Sequence, residues 1–346
     1  MRCTAVLALA VAVLPAGAGA ALAPTELGVL YRSGDARSEA VARDYAAARQ
    51  VPARNLVGVA VRPAAAIAPA EVERLRVAAL LKLGPGIKAL LLVWGRPYAA
   101  GCMSITTAFA AGYRAEFCEP GCGRTRLSPL YDADSLEPAR VAGWTPAMLF
   151  PDDDPAAAHR LVARGLAADG TEPPGTVYLV ETNERDRNVR AAGYGDLGRL
   201  YGRRVAVERL SAPPLGGVTD ALAYFTGVAR VTELARLHFR PGAVADHLTS
   251  LGGVLDQDVQ TTALEWLAAG ATASYGTVSE PCNHTAKFPS PVVFVGHYLK
   301  GDSLIEAYWK SVAMPGQGLF VGEPLAAPFG ARTHGAALAG EGAWAR

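Results

Sequence analysis

The sequence predicts an α/β protein built on a mostly parallel sheet flanked by helices. Three observations carry that expectation. Strand-like apolar segments alternate with segments of helical periodicity from Leu27 to Phe329. Ile87–Gly95 (IKALLLVWG) is a near-continuous apolar run, the pattern of a strand covered on both faces. The 346 residues are 51% apolar with a net charge of only +1, enough for one large core and without the basic stripe a nucleic-acid partner needs.

The first 20 residues read as a secretory signal peptide. Arg2 gives a short positive region, and TAVLALAVAVLPAGAGA gives an apolar core ending in small residues, with a cut after Ala20. The run is short for a membrane span and is interrupted by Pro15, and no later segment has membrane length. The expected location is therefore the periplasm, the cell envelope or the exterior, with a single domain over 21–329 and a frayed Ala/Gly-rich tail over 330–346.

The mature chain begins with a strand, ELGVLYRSGD, then a helix from an N-cap at Ser38 to Gln50, then a strand within Val51–Val61. Pro69–Leu83 reads as a helix with proline in its first turn, followed by the buried strand Ile87–Gly95. The stretch 96–134 is Gly-rich and reads as a long loop stapled from within. A short strand and a helix come next, from Trp144 to Gly170, with Asp152–Asp154 at the helix start, where carboxylates suit the helix dipole better than a calcium loop. Strands are expected at Gly175–Thr182, Arg203–Leu210 and Asp220–Ala229, with a charged helical segment after the first of these. Ser290–Phe329 supplies two helices and a closing strand.

Between them lies the richest stretch, Gly242–His284. Polar residues gather at its two ends, and glycines at 242, 252, 253, 270 and 276 punctuate it. With Cys3 in the leader, Cys102, Cys118, Cys122 and Cys282 remain. In an oxidising compartment these form two disulfides, with three connectivities open; the alternative, a zinc site, lacks a second close pair of ligands. No metal and no cofactor is expected, since no HExxH or comparable spacing occurs.

The segments SEAVARDYAAARQVPARNLV, IKALLLVWGRPYAAGCMSITTAF, PGAVADHLTSLGG and GATASYGTVSEPCNHTAKFPSP together resemble an exported bacterial family found in species with exosortase-type protein-sorting systems. More distantly, the order of elements resembles the caspase–haemoglobinase fold of gingipain-like cysteine peptidases. That resemblance implies a catalytic His after one strand and a nucleophilic Cys after the next, and a late Gly-Asp/Glu-Pro turn like Gly322-Glu323-Pro324. Here Val228 stands in the His place and ADHLTS has no Cys, so the usual dyad is absent. A relocated site would draw on Asp246, His247, Glu280 and Cys282 as catalytic groups, with Ser250 as the alternative nucleophile to Cys282.

Each candidate also has a structural reading. Cys282 is a nucleophile if free, or the partner of a loop cysteine. Asp246 and His247 are adjacent on a strand and so face opposite sides unless they sit at its end. Thr249 and Ser250 are substrate-binding hydroxyls or an N-cap pair. Glu280 comes after a strand's C-terminal end, where α/β sheets place ligands. Arg96 comes after the buried strand and binds an anion or a loop carboxylate, and Asn283 and His284 complete the substrate-binding set. Two functions are open: a hydrolase with a relocated site, or a silent module binding an envelope polypeptide or glycan. Convergence of the four catalytic candidates would favour the first.

Overall fold

The structure, a computed structural model, describes residues 21–331 apart from 119–121, 212 and 214–215. The expected leader lies outside the described residues, as does all of the expected tail except Gly330 and Ala331.

Ten strands form one sheet: β1 (Leu27–Arg32), β2 (Leu56–Val59), β4 (Ala89–Val93), β7 (Ala147–Phe150), β8 (Thr176–Glu181), β9 (Ala206–Ser211), β10 (Ala221–Gly227), β11 (Phe239–Leu248), β12 (Ala273–Thr277) and β13 (Gly318–Gly322). A separate small sheet is made of β3 (Ala66–Ile67), β5 (Ala99–Ala100) and β6 (Met103–Ser104). The large sheet runs in the order β2-β1-β4-β7-β13-β12-β11-β10-β8-β9. β1 is parallel to β2 and β4, and β4 to β7. On the other side, β8 is parallel to β9 and β10, and β11 to β10 and β12. β13 lies between the two groups, antiparallel to β12 from Ala273 opposite Gly322 to Thr277 opposite Gly318, and it meets β7 where Val321 lies opposite Leu149.

The helices are α1 (Ala36–Arg49), α2 (Pro69–Leu83), α3 (Ile105–Ala111), α4 (Glu137–Val141), α5 (Pro155–Ala168), α6 (Tyr194–Tyr201), α7 (Ala263–Ala268), α8 (Pro291–Leu299) and α9 (Leu304–Ser311). The expected α/β architecture is present, with three local corrections. The N-cap of α1 is Asp35, whose carboxylate accepts from the Arg37 and Ser38 amides, while Ser38 turns inward to donate to the Val93 carbonyl at 2.6 Å. A wholly buried helix, α3, capped by Ser104, sits inside the expected loop; its short Ile-Thr-Thr-Ala-Phe run is too brief to register as periodic. The expected helical stretch after β8 is two 3-10 turns before α6, which is shorter than its charge pattern suggests.

At α5 the acidic run divides its labour. Asp154 caps the helix by accepting from the Ala156 amide, while Asp152 is buried, accepts from the Gly95 amide at 3.0 Å and pairs with Arg32 at 3.3 Å. The Gly322-Glu323-Pro324 turn also has a structural task. Glu323 is buried and pairs with Arg49 of α1, which also binds Asp169 after α5, while the Tyr45 hydroxyl donates to Glu323 at 2.7 Å. One guanidinium and two carboxylates thus tie α1, α5 and the end of β13 together.

Candidate functional site

The C-terminal ends of the parallel strands share one edge of the sheet. Arg96, just after β4, pairs with Asp256 beyond β11 at 3.0 Å, and the Tyr98 hydroxyl donates to the same carboxylate at 2.5 Å. Burial, with Asp256 adding to it, pushes the Tyr98 phenol up to about 12, so it remains a donor at neutral pH. After β12, the Ser279 hydroxyl donates to the Cys102 carbonyl at 2.8 Å, which joins the β12 end to the stapled segment.

Both disulfides involve that segment. Cys102 joins Cys118, and Cys122 joins Cys282, which settles the three open connectivities. Cys282 is therefore a disulfide sulfur rather than a thiolate, and the nucleophile reading of this residue is corrected in this state of the protein. Its backbone lies in the left-handed region at φ 53°, held by the Glu280 carboxylate accepting from the Cys282 amide at 2.7 Å. Asn283 is exposed, and the His284 imidazole Nε2 contacts the Cys122 carbonyl. Residues 280–284 thus form one strapped turn.

Asp246 and His247 lie inside the sheet, on opposite faces. On one face Asp246, fully buried, accepts from Arg190 at 2.6 Å; that guanidinium also donates to the Thr226 and Pro289 carbonyls and lies over the Phe225 ring. Burial pushes the Asp246 carboxyl above the usual carboxylate range, and the Arg190 charge offsets only part of that. On the other face the Trp266 indole of α7 donates to His247 Nδ1 at 2.9 Å. A nitrogen that accepts carries no proton, so the neutral ring is protonated on Nε2. Burial and the Arg190 and Arg187 charges push His247 down to about 3. A base this weak and this enclosed cannot take a proton from a substrate near neutral pH.

At the end of β11, Thr249 accepts from Arg187 Nε at 3.2 Å and donates to the Gln260 side chain at 3.0 Å, which also takes the Leu251 amide. The Ser250 carbonyl accepts from the Thr277 hydroxyl at 2.7 Å. Beyond Ser250 the path of the chain depends on glycine. It doubles back across β12, with the Gly253 amide donating to the Thr277 carbonyl at 2.9 Å. A Cβ on Gly276 would stand 2.2 Å from the Gly252 carbonyl carbon and 2.4 Å from the Gly253 nitrogen, so only glycine lets the two backbones touch. The chain at Gly252 and Gly253 therefore packs directly on the backbone of β12.

The polar candidates divide cleanly. Arg96, Thr249, Ser250 and Glu280 lie along the C-terminal edge with His284 and Asn283 beside them, whereas Asp246 and His247 are core residues. Among the described residues, no hydrogen bond or ion pair joins the side chains of Asp246, His247, Glu280 and Cys282. Sequence reading missed Arg190, Arg187, Tyr98, Asp256 and Gln260. Arg190 sits within a charged run whose helical pattern hides which residue turns inward, and the others become neighbours only through pairing across the sheet. Among the described residues no group of three His, Cys, Asp or Glu side chains is placed to hold a metal ion, and no helix is long and apolar enough to cross a membrane.

No protein-family profile and no curated protein matches the chain.

Proposed function

We propose that this protein is an exported cell-envelope binding module: a caspase–haemoglobinase-like framework, of the exosortase-associated kind its sequence resembles, that has lost peptidase chemistry. The observation that carries the proposal is the engagement of the two internal candidates, Asp246 by Arg190 and His247 by Trp266, on opposite faces of β11. A hydrolase needs its nucleophile, base and orienting group within reach of one reacting atom. Here the acid and the base are separated by the sheet, and the thiol is oxidised. Along the edge Arg96, paired with Asp256, and Glu280, which takes the Cys282 amide, still present polar atoms to solvent, suited to holding an extended polypeptide or a glycan without cutting it.

The test pairs activity with binding. Mature protein is incubated with a quenched fluorescent peptide library and with p-nitrophenyl acetate, with and without reductant, and is passed over immobilised carboxymethylated casein and a soluble glucan. The expected result is no turnover in any condition, with retention on one of the two probes that falls in Arg96→Ala. Hydrolysis that disappears in His247→Gln or Cys282→Ser would overturn the proposal and restore a relocated hydrolytic site.

A further inference from the structure

The opposite edge of the sheet, where β4 and β7 begin, carries a trough that the proposed binding edge does not use. One limb, open to solvent, has a volume of about 820 Å³ and is lined by Val77, Leu80, Leu81, Ile87, Leu136 and Trp144, with Lys88 and the Glu137–Arg140 ion pair at its rim. A second limb of about 620 Å³ meets it at Gly143 and Trp144 and is lined by Arg76, Arg114 and Arg126, with Glu73 and Glu116. Either volume falls in the range of roughly 300–1,000 Å³ typical of small-molecule sites.

The apolar limb is open to water at a cost. Leu81 is 80% exposed, Val77 43%, and Val141, next to the rim residue Arg140, 76%. Single exposed leucines need no explanation, but a contiguous apolar wall around a concavity marks a place where something docks.

The polar limb states the charge of the occupant. Arg126 is taken up by Glu116 at 2.5 Å. Arg76 reaches across α3, donating to the Phe109 carbonyl and the Gly143 carbonyl at 2.9 Å each, and keeps a loose pairing with Glu73 at 3.6 Å. Arg114 is exposed and has no hydrogen bond or ion pair from its guanidinium among the described residues. Burial lowers the proton affinity of the Arg76 guanidinium; Glu73 offsets part of this, and Arg114 adds a smaller lowering. Arg76 is thus committed to backbone carbonyls and to Glu73, and Arg126 to Glu116, which leaves Arg114 as the unpaired charge in a limb of three guanidinia and two carboxylates.

We propose that this trough binds a long-chain fatty carboxylate, its acyl chain along Val77, Leu81 and Trp144 and its carboxylate on Arg114. The apolar limb removes the chain from water, and the planar fork of Arg114 matches a carboxylate's two oxygens. A neutral chain would leave Arg114 uncompensated, and a cationic amphiphile would add a repelling charge. The site lies at the edge opposite Arg96, so it stands or falls independently of the edge-binding function proposed for Arg96 and its neighbours.

The experiment is calorimetric titration of the full mature chain with dodecanoate below its micellar concentration, with dodecyltrimethylammonium and dodecanol as head-group controls. Arg114→Glu and Leu81→Asp are exposed substitutions, and circular dichroism checks that each variant folds. The expected result is one dodecanoate per chain, no comparable binding of the cation, and a loss of roughly tenfold or more in either variant, the scale of one charge-assisted bond or one apolar segment. Arg96→Ala should bind dodecanoate as the wild type does. Equal binding of the cation, affinity unchanged in Leu81→Asp, or no binding at all would overturn the proposal. So would a face that only adsorbs to anionic phosphatidylglycerol vesicles, or a dimer on light scattering that Leu81→Asp dissolves, because each assigns the apolar wall to a different occupant.

Discussion

Replacing His247 by Gln tests how the strand β11 uses its imidazole. Glutamine retains an acceptor for the Trp266 indole but has no proton to gain. In the folded protein His247 stays neutral down to about 3, whereas an unfolded histidine takes its proton near 6.5. The folded affinity for the proton is the lower one, so the stability that depends on the neutral ring is complete above pH 6.5. It is lost as pH falls through the window between 6.5 and 3, where the unfolded chain holds one more proton. The slope in that window is about 1.4 kcal/mol per pH unit, which gives about 2 kcal/mol between pH 7 and pH 5. Urea unfolding of both proteins at those two pH values measures it. Wild type should lose about 2 kcal/mol more than His247→Gln over the interval, the variant lacking this one linkage. Equal losses in the two proteins, or a ring that titrates near 6.5 by NMR in the folded state, would refute the argument and return His247 to the list of usable bases.

Two further outcomes rest on the same geometry. Asp246→Ala leaves the Arg190 guanidinium buried without its counter-charge and should cost about 3–5 kcal/mol, whereas the double replacement Arg190→Met with Asp246→Leu should fall near neutral in urea unfolding. Alkylation of the mature protein without reduction should label none of Cys102, Cys118, Cys122 and Cys282 by mass spectrometry, and Cys282→Ser, which opens a cross-link spanning 160 residues, should lower stability by about 2–5 kcal/mol.

The fold class is legible because its signals are local. The continuous apolar run at Ile87–Gly95 forms a strand buried on both faces, and the proline at Pro69 marks the first turn of α2 as expected. Thr262 and Glu265, three positions apart ahead of an apolar run, form the capping box that opens α7. The site is only partly legible. Adjacent strand residues alternate faces, so Asp246 and His247 read as poor partners from the sequence alone, but nothing in their neighbourhood names Arg190, 56 positions upstream, or Trp266 on the following helix. The role of Gly252, Gly253 and Gly276 is visible as a need for small residues, though which backbones meet is set by the register of β12. The Gly322-Glu323-Pro324 turn stands out for its resemblance, while its physical task, a carboxylate for Arg49, depends on how α1 and α5 pack.

The cysteine pairing has a consequence for how the chain acquires its cross-links. Counted from the N-terminus of the described chain, the first cysteine joins the second and the third joins the fourth. Exported as proposed, the chain would enter an oxidising compartment N-terminus first and meet its thiols in that order. Cys102 and Cys118 are 16 residues apart and can close while the remainder is still arriving, which leaves Cys122 with no thiol to join until Cys282 emerges. Oxidation in order of arrival therefore yields the native pairing directly, and reshuffling by an isomerase is needed when Cys122 joins Cys118, four positions away, or Cys102 before Cys282 emerges.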